Sequence, residues 1–409
     1  MGLGITACFP VTQQPETKKE RYEQYFKEIV SVIPNGDVSC VFYDDGFCVK
    51  LVPFEEDIYG TWEDDGRLRI SAKTNSAGPG YHAYVVDLID GLGVKPVSIE
   101  DETGYYETRD FSALQSAMEQ WLKFTSVVLL DKANENASDI AISFSLDWTP
   151  HASGHFTCCP LGYFDKNFFE RAKAGENVGS EFFVWWNQEQ DALFFRNVAL
   201  NTILCGVNWI TPEIDGERSV FISALECLEK AYAVNPTLEY PAAEWLELAE
   251  LLGDTALIET LKLRFGNTGE PALGYKRGEI TSNVHGWRFS HSGKMHFIVE
   301  ENGSSAYWDD KTTIRLTTMT ATLKEDIPNK SEVLLSYGVK NDPAFEPFKL
   351  RNEKIAAAIS HKQIEEDGQI MWHTILMAAL ENDMLMMSLF YDGMEERDWA
   401  IKICASAAR

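Results

Sequence analysis

The sequence lacks long hydrophobic runs, and this lack excludes a helical membrane protein. None of its runs approaches the roughly 18 apolar residues that a membrane-spanning helix needs. Cysteine is also too sparse for a small disulfide scaffold, because only eight cysteines are spread over 409 residues. No charged, then apolar, then small-residue leader opens the chain. Together these observations predict a cytoplasmic protein with reduced thiols and without a membrane span.

Basic residues are scarce, which bears on the class of partner. The chain has 36 Lys and Arg residues against 63 Asp and Glu residues, for a formal net charge of −27. The excess is uneven, because 43 acids and 20 bases lie in residues 1–270, against 20 acids and 16 bases afterwards. Such a field repels nucleic acids and anionic membranes. The sequence therefore predicts no nucleic-acid binding and favours a basic protein partner.

The chain also lacks the short motifs of common enzyme classes. GxGxxG, GxxxxGK[ST], GxSxG, HExxH and the kinase signatures are not found, and no CxxC pair occurs. We therefore expect no cofactor. The chain is nevertheless 45% hydrophobic and 12% aromatic, which is ample for packed cores. These features favour a globular binding protein over an enzyme.

A glycine-rich turn followed by a helix stands out in residues 70–93. The apolar residues after the turn recur at helical spacing, at Tyr81, Tyr84, Val85, Leu88, Ile89 and Leu92. Pro79 suits the first helical turn, and Gly91 suits the end of the helix. The turn itself, residues 76–80, is interpreted either as an anion seat or as a tight strand-to-helix turn.

The charges on this helix favour the tight turn. Asp87 and Asp90 would repel a phosphate, and no Lys follows the turn. His82 is the one titratable candidate near it. Its functional interpretation is a general base, and its alternative is a hydrogen-bonded packing residue.

Periodicity and turn residues predict an α+β fold in two domains. Helical spacing predicts helices at 16–30, 111–124, 219–233, 242–252 and 398–406. Strands are predicted at 38–43, 47–52, 68–72, 140–146, 287–289, 295–300, 313–323 and 332–337, with a hairpin of 374–380 and 384–390. The acid-rich stretch 100–110 is predicted as a loop. Residues 266–278 contain four glycines and a proline and are predicted to be a linker.

The predicted first domain, 1–265, is an acidic, mixed α+β domain with a helical cover. The predicted second domain, 279–409, is a smaller sandwich of antiparallel sheet and helix. GWRFS at 286–290 and LFYDGMEERDWAIKICAS at 389–406 resemble Mog1/PsbP-like modules, whose relatives include bacterial adaptor chaperones of secreted toxins. The resemblance covers about residues 280–409 and implies binding rather than catalysis. The first two-thirds of the chain carry no such resemblance.

One histidine and cysteine cluster is a candidate for chemistry. Residues 148–164 read WTPHASGHFTCCPLGYF and crowd four candidate ligands together: His151, His155, Cys158 and Cys159. Imidazole and thiolate are zinc ligands, so zinc is a candidate, and His151 with Cys158 is a weaker candidate for a nucleophile pair. The alternative is a loop with small buried thiols. Adjacent cysteines point apart, which favours the alternative.

Three further groups have both a functional and a structural interpretation. His285, His291 and His296 form either a metal site or isolated surface histidines, and the second is favoured. Three acidic clusters lie at 55–57, 63–65 and 100–102. Their functional interpretation is a cation site or a glycosidase-like carboxylate pair, and the favoured alternative is a solvated turn. The methionine-rich residues 370–387 form either a doubly covered core sheet, which is favoured, or a partner groove.

From these observations the sequence predicts a protein-binding factor that acts through an acidic surface. Its role would be an immunity-type inhibitor of a toxin or an adaptor chaperone for a secreted effector. The alternative is a hydrolytic or metal-dependent enzyme built around the cluster at 151–159, with the turn at 78–82.

Overall fold

The structure is a computed structural model that describes residues 2–10, 40–54, 57–134, 140–141, 147–151, 157–324, 327–340, 342–366 and 368–409. Its described helices are α1 (Pro79–Gly91), α2 (Tyr105–Thr108), α3 (Phe111–Asn134), α4 (Lys166–Ala174), α5 (Gly179–Phe182), α6 (Ala192–Cys205), α7 (Asp215–Val234), α8 (Ala242–Leu252), α9 (Thr255–Phe265), α10 (Lys330–Val339) and α11 (Arg397–Ser406). Short 3₁₀ turns lie at Tyr275–Arg277 and Met394–Glu396.

The described strands are β1 (Gly4–Phe9), β2 (Cys40–Phe42), β3 (Gly46–Val49), β4 (Ile58–Trp62), β5 (Leu68–Lys73), β6 (Ser98–Asp101), β7 (Ile140–Ala141), β8 (Trp148–Pro150), β9 (Thr157–Cys159), β10 (Gly162–Phe164), β11 (Glu279–Val284), β12 (Trp287–Ser292), β13 (His296–Val299), β14 (Ser305–Trp308), β15 (Thr312–Thr320), β16 (Phe345–Pro347), β17 (Ala356–Glu366), β18 (Gln369–Leu380) and β19 (Asp383–Tyr391). The α+β class predicted from the sequence is confirmed, since both helices and antiparallel sheets form the fold.

The chain divides into two compact units. The first unit contains residues 1–146 and 152–275, and the second contains residues 147–151 and 276–409. The change at 275–276 falls inside the segment that the sequence predicts as a linker. The short stretch 147–151, which includes β8, belongs to the second unit although its sequence neighbours belong to the first.

The first unit contains a six-stranded antiparallel sheet in the order β2-β3-β4-β5-β1-β6. Ile5, Ala7 and Ile70 face the core, as period-2 alternation requires, and pack with residues of α1, α3, α6 and α7 in one cluster. Residues 43–45 connect β2 to β3, and residues 63–67 connect β4 to β5. A small sheet in the order β10-β9-β7 and the helices α4 to α9 complete the unit.

The second unit contains two sheets, of three strands (β12-β11-β8) and seven strands (β13-β14-β15-β19-β18-β17-β16). The large sheet is covered on both faces. Met384 packs with Leu334 of α10 on one face, whereas Leu385 and Met387 pack on the other face in the core that includes Ile403 of α11. The doubly covered core predicted for the methionine-rich strands is therefore confirmed.

Several predicted elements differ from the structure. The strand predicted at 332–337 is wrong, because these residues lie in helix α10. The loop predicted at 100–110 contains the end of β6 and the short helix α2. Several further elements were not predicted, among them β1, β4, β17, α6 and α9. The helix predicted at 16–30 lies outside the described residues, and of the strand predicted at 140–146 only β7 is described.

Candidate functional site

The glycine-rich turn before α1 is a close-packed junction. The N–H of Gly80 donates to the carbonyl of Trp185 at 2.9 Å, and the N–H of Trp185 donates to the carbonyl of Ala77 at 2.8 Å. Gly78 has φ of 111°, and a Cβ there would lie 2.7 Å from Phe183. Because the Gly80 donor is already bonded within the protein, the geometry supports the tight turn over the anion seat.

His82 lies one turn into α1 and is fully buried. Its Nδ1 is 2.8 Å from the Thr74 hydroxyl, and its Nε2 is 3.2 Å from the Thr103 hydroxyl and 3.3 Å from the Asp101 carboxylate. Sequence analysis found no partner for His82, because these partners come from before the helix and from the region of β6. The structure brings them together.

Asp101 organises this cluster. One carboxylate oxygen accepts the N–H and hydroxyl of Thr103 at 2.8 and 2.7 Å, and the other accepts the N–H of Tyr106 at 2.7 Å. Burial acts to raise the pKa of Asp101, but hydrogen bonds from His82, Tyr106 and Thr103 outweigh it and hold that pKa well below its usual range. The carboxylate therefore stays charged opposite His82.

Thr74, His82 and Asp101 supply the hydroxyl, imidazole and carboxylate of a catalytic triad. They cannot act as one in this conformation. Thr74 and His82 both have 0% of their surface exposed. A nucleophile needs space for a substrate beside its hydroxyl. The cluster therefore joins α1 to β6 and α2, which supports the packing interpretation of His82.

The predicted histidine and cysteine ligands are placed in different units. His151 belongs to the second unit, where its Nδ1 lies 3.1 Å from Glu279 and its Nε2 lies 2.7 Å from the Thr281 hydroxyl. Cys158 and Cys159 lie on β9 in the first unit, paired with β10, and His155 lies outside the described residues. Over the described ranges, no three His, Cys, Asp or Glu side chains group as metal ligands. Zinc binding stays a prediction.

The expectation of surface histidines at 285, 291 and 296 is wrong for two of them. His291 and His296 have only 3% and 4% of their surface exposed. His291 lies on β12, where its Nδ1–H donates to the carbonyl of Ser292 at 2.7 Å and its Nε2 accepts from Ser282 at 2.8 Å. Burial, aided by the charge of Lys276, lowers the pKa of His291 to about 4. His291 is therefore a neutral packing residue.

The acidic clusters have different fates. Glu63 pairs with Arg67 and Arg69 around the exposed β4–β5 turn, as expected for a solvated turn. In the cluster 100–102, Asp101 is buried, so the solvated interpretation is wrong for that residue. Residues 55–56 of the remaining cluster lie outside the described residues.

A concave site lies on the six-stranded sheet, on the face opposite the core. Its cavity of about 600 Å³ is lined by Gly4, Ile5, Thr6, Asp57, Tyr59, Ser71, Ala72, Lys73, Glu100 and Glu102. We call it the polar sheet face. Antiparallel pairing places Thr6 beside Ser71 and Glu100, and Ser71 beside Tyr59, so these side chains share one face.

Acidic groups dominate the rim of the polar sheet face. Asp57, Glu100 and Glu102 oppose the single base Lys73. Asp57 Oδ2 accepts a hydrogen bond from the Cys48 thiol at 3.1 Å. The other oxygen, Oδ1, is buried and has no hydrogen-bond partner among the described residues. The excess of carboxylates over bases makes the polar sheet face attractive to cationic groups.

Tyr59 adds apolar area to the same face, because 48% of its surface is exposed. Sequence analysis missed this site together with β4. The available signal was the run of β-branched and aromatic residues in IYGTW at 58–62, before the acidic turn.

Comparisons with known proteins give little further information. No family model and no curated protein matches the chain. A crystal structure from Bacteroides thetaiotaomicron matches with a TM-score of 0.26 and 10% identity, over 30% of this chain and 44% of that one. The chain thus spans less than half of that protein, and a likeness this weak assigns no fold or function. The resemblance of residues 280–409 to Mog1/PsbP-like modules stays a prediction. Across the residues that the structure describes, no helix has the length and apolar character to cross a bilayer.

Proposed function

We propose that the chain is a protein-binding factor whose polar sheet face takes a basic segment of a partner protein. The observation that carries the proposal is the acidic lining of this concave face, where Asp57, Glu100 and Glu102 outnumber the base Lys73. A Lys or Arg side chain supplies hydrogen-bond donors and the opposite charge.

The surroundings of Asp57 fit the same partner. Glu100 and Glu102 add two negative charges to the site, and the residues 1–270 carry most of the net charge of −27. Such a field steers a cationic protein toward the site and speeds association. Tyr59 offers an exposed ring for cation–π contact with the incoming side chain.

The biological role that best fits a stoichiometric complex with a basic protein is an immunity-type toxin inhibitor or an adaptor chaperone for a secreted effector. Both roles need affinity and selectivity without catalysis. The fully buried Thr74 and His82 favour this role over an enzyme that uses His82.

The experiment begins with co-purification of the full-length chain from its own cells at low salt, followed by native mass spectrometry. The basic partner that this identifies is then titrated with purified variants. A triple variant carrying Asp57→Asn, Glu100→Gln and Glu102→Gln should weaken the complex about a hundredfold, since charge pairs at an interface contribute on the order of 1 kcal/mol or more each.

A matched control removes three charges elsewhere on the first unit. Glu170, Glu189 and Glu259 are exposed, so a variant with all three changed to Gln has the same net charge as the site variant. It should keep nearly wild-type affinity. Equal weakening in both variants would contradict the proposed site, and a chain that purifies alone with stoichiometric metal would favour the enzyme alternative.

A further inference from the structure

A second concave site lies in the second unit and has the opposite charge. Its cavity of about 620 Å³ is formed by the β11–β12 hairpin, the stretch before β17 and helix α11. We call it the basic pocket. Its charged and titratable lining residues are His151, Glu279, His291, Lys349, Arg351 and Lys402.

The basic pocket is lined by one carboxylate, Glu279, and three cationic side chains. Both oxygens of that carboxylate already have partners within the protein. Glu279 Oε2 lies 2.6 Å from Lys402 Nζ, and Oε1 lies 3.1 Å from His151 Nδ1. The hydrogen bond from Lys402 lowers the pKa of Glu279, so the pair stays ionised at neutral pH. Lys402 and Glu279 therefore cancel each other.

The other two cations have no such counter-charge. Lys349 lies 3.5 Å from Glu353, but these side chains are 83% and 82% exposed, so solvent screens the pair. Arg351 makes no hydrogen bond or ion pair within the described part of the chain. A free guanidinium presents a planar fork of donors that matches two oxygens of a phosphate group.

Hydroxyl and aromatic groups complete the site. Ser292 Oγ accepts the Lys294 N–H at 3.2 Å, which leaves its own proton available for an oxyanion. Trp399 is half-buried in the wall and offers a ring face to a planar or apolar group. By contrast, both ring nitrogens of His291 are bonded within the protein. The ring nitrogens of His151 likewise lie within bonding distance of Glu279 and Thr281, so neither described histidine of the pocket has a free ring nitrogen.

We propose that the basic pocket binds a small organic phosphomonoester, with Arg351 and Lys349 on the phosphate and Trp399 against the organic part. The cavity volume supports this ligand class, because a bare phosphate would leave most of the 620 Å³ unfilled. The proposal concerns the second unit and is independent of the polar sheet face.

The test is calorimetric titration of the full-length chain with phenyl phosphate at low ionic strength, with inorganic phosphate as a second probe. Phenyl phosphate should bind saturably at one site and more tightly than inorganic phosphate. Arg351→Gln should weaken phenyl phosphate about tenfold, because it removes a bidentate, charge-assisted contact. Lys349→Gln should weaken it by a smaller factor.

Lys354→Gln is the matched control, since Lys354 is exposed three residues from Arg351 and does not line the pocket. It should leave the affinity within about twofold of wild type, because a screened surface charge contributes little. Thermal unfolding of each variant should match wild type, because the replaced side chains are exposed. Absence of saturable binding, or equal affinity in Arg351→Gln and Lys354→Gln, would overturn the proposal.

A lipid headgroup is a second source of the same phosphomonoester chemistry. Flotation with phosphatidylcholine vesicles containing phosphatidic acid separates the two sources. Vesicle binding that phenyl phosphate displaces and Arg351→Gln abolishes would assign the ligand as a headgroup. Binding of phenyl phosphate without vesicle binding would assign a soluble ligand.

Discussion

At the scale of single residues, the Asp101 carboxylate holds three parts of the first unit together. It pairs with His82 of α1 and accepts hydrogen bonds from the hydroxyl of Thr103 and from the N–H of Tyr106 in α2. The spacing of α1 was readable from the sequence, so His82 was placed on a helix correctly. Its partners were not readable, because Thr74, Asp101 and Thr103 converge only after the chain folds.

Replacement of Asp101 by Asn should destabilise the first unit by about 3 kcal/mol, because one carboxylate oxygen that accepts from Thr103 or Tyr106 is replaced by an NH2 group that can only donate. Urea unfolding at neutral pH measures the change. Asp64→Asn is the control, since Asp64 is exposed, and it should shift the free energy by less than about 0.5 kcal/mol.

The free energy of unfolding of wild type and of Asp101→Asn should depend differently on pH. The folded-state pKa of Asp101 is depressed, so its stabilisation is present above the unfolded-state pKa of about 4 and is lost as the pH falls below that value. The stability gap between wild type and Asp101→Asn should be constant from about pH 7 to 5 and narrow below about pH 4. A gap that stays constant down to pH 3 would show that the carboxylate is not ionised against His82.

Gly80 is required by packing rather than by backbone conformation. A Cβ there would lie 2.0 Å from the Trp185 ring and 2.2 Å from the carbonyl of Asn187. Gly80→Ala should therefore cost about 3 kcal/mol in the free energy of unfolding, because the core must move to admit the methyl group.

Gly216 provides the contrast for this substitution. It lies in α7, and a methyl group added there would meet nothing within 4 Å, so Gly216→Ala should stabilise the helix by about 0.5 kcal/mol. Opposite signs in the two urea titrations would establish the close packing at Gly80. Equal and small effects would contradict it.

At the scale of elements, short apolar runs explain where sequence reasoning failed. Val333, Leu334 and Leu335 are consecutive, a pattern that a buried strand and a short helix share, and the structure places them in α10. Strand β4 was missed because Gly60 interrupts its alternation. That glycine is needed there, since a Cβ would lie 2.1 Å from the ring of Phe47 on the neighbouring strand.

Leu334 is the buried residue of α10 in its contact with the large sheet. It is 6% exposed and packs with Met377 and Met384. Leu334→Ala should destabilise the second unit by about 3 kcal/mol through the lost contacts and the cavity left behind. Tyr337 on the same helix is 68% exposed, so Tyr337→Ala should cost less than about 0.5 kcal/mol.

Hydrogen exchange with mass spectrometry of peptides from 330–339 reads this contact directly. Exchange there should accelerate in Leu334→Ala and stay at the wild-type rate in Tyr337→Ala. If both variants exchanged alike, α10 would not depend on the Leu334 contact.

At the scale of the whole molecule, the net charge and the presence of packed cores could be predicted from the sequence. Which segments of the chain belong to which unit could not. The acidic cavity and the basic cavity are each formed by residues that are far apart in sequence. Examples are Asp57 with Glu100 in the first, and Arg351 with Lys402 in the second. Only the local segments that carry them have sequence signals. Strand β8 is the clearest case, because its sequence neighbours belong to the first unit, whereas its three residues pair with β11 in a sheet of the second.

The stretch 147–151 should therefore be needed for the stability of the second unit. Strand β8 pairs with β11, and the N–H of Asn283 donates to the carbonyl of Asp147 at 2.6 Å. A fragment of residues 276–409 lacks this strand and exposes the edge of β11. A second fragment, in which 145–153 are joined to 276–409 by a flexible linker, restores the pairing. We expect the second fragment to melt about 5 °C or more above the first, because an unpaired edge loses hydrogen bonds and invites aggregation. Equal melting temperatures would mean that β11 holds its conformation without β8, and that the second unit is already complete from residue 276 onward.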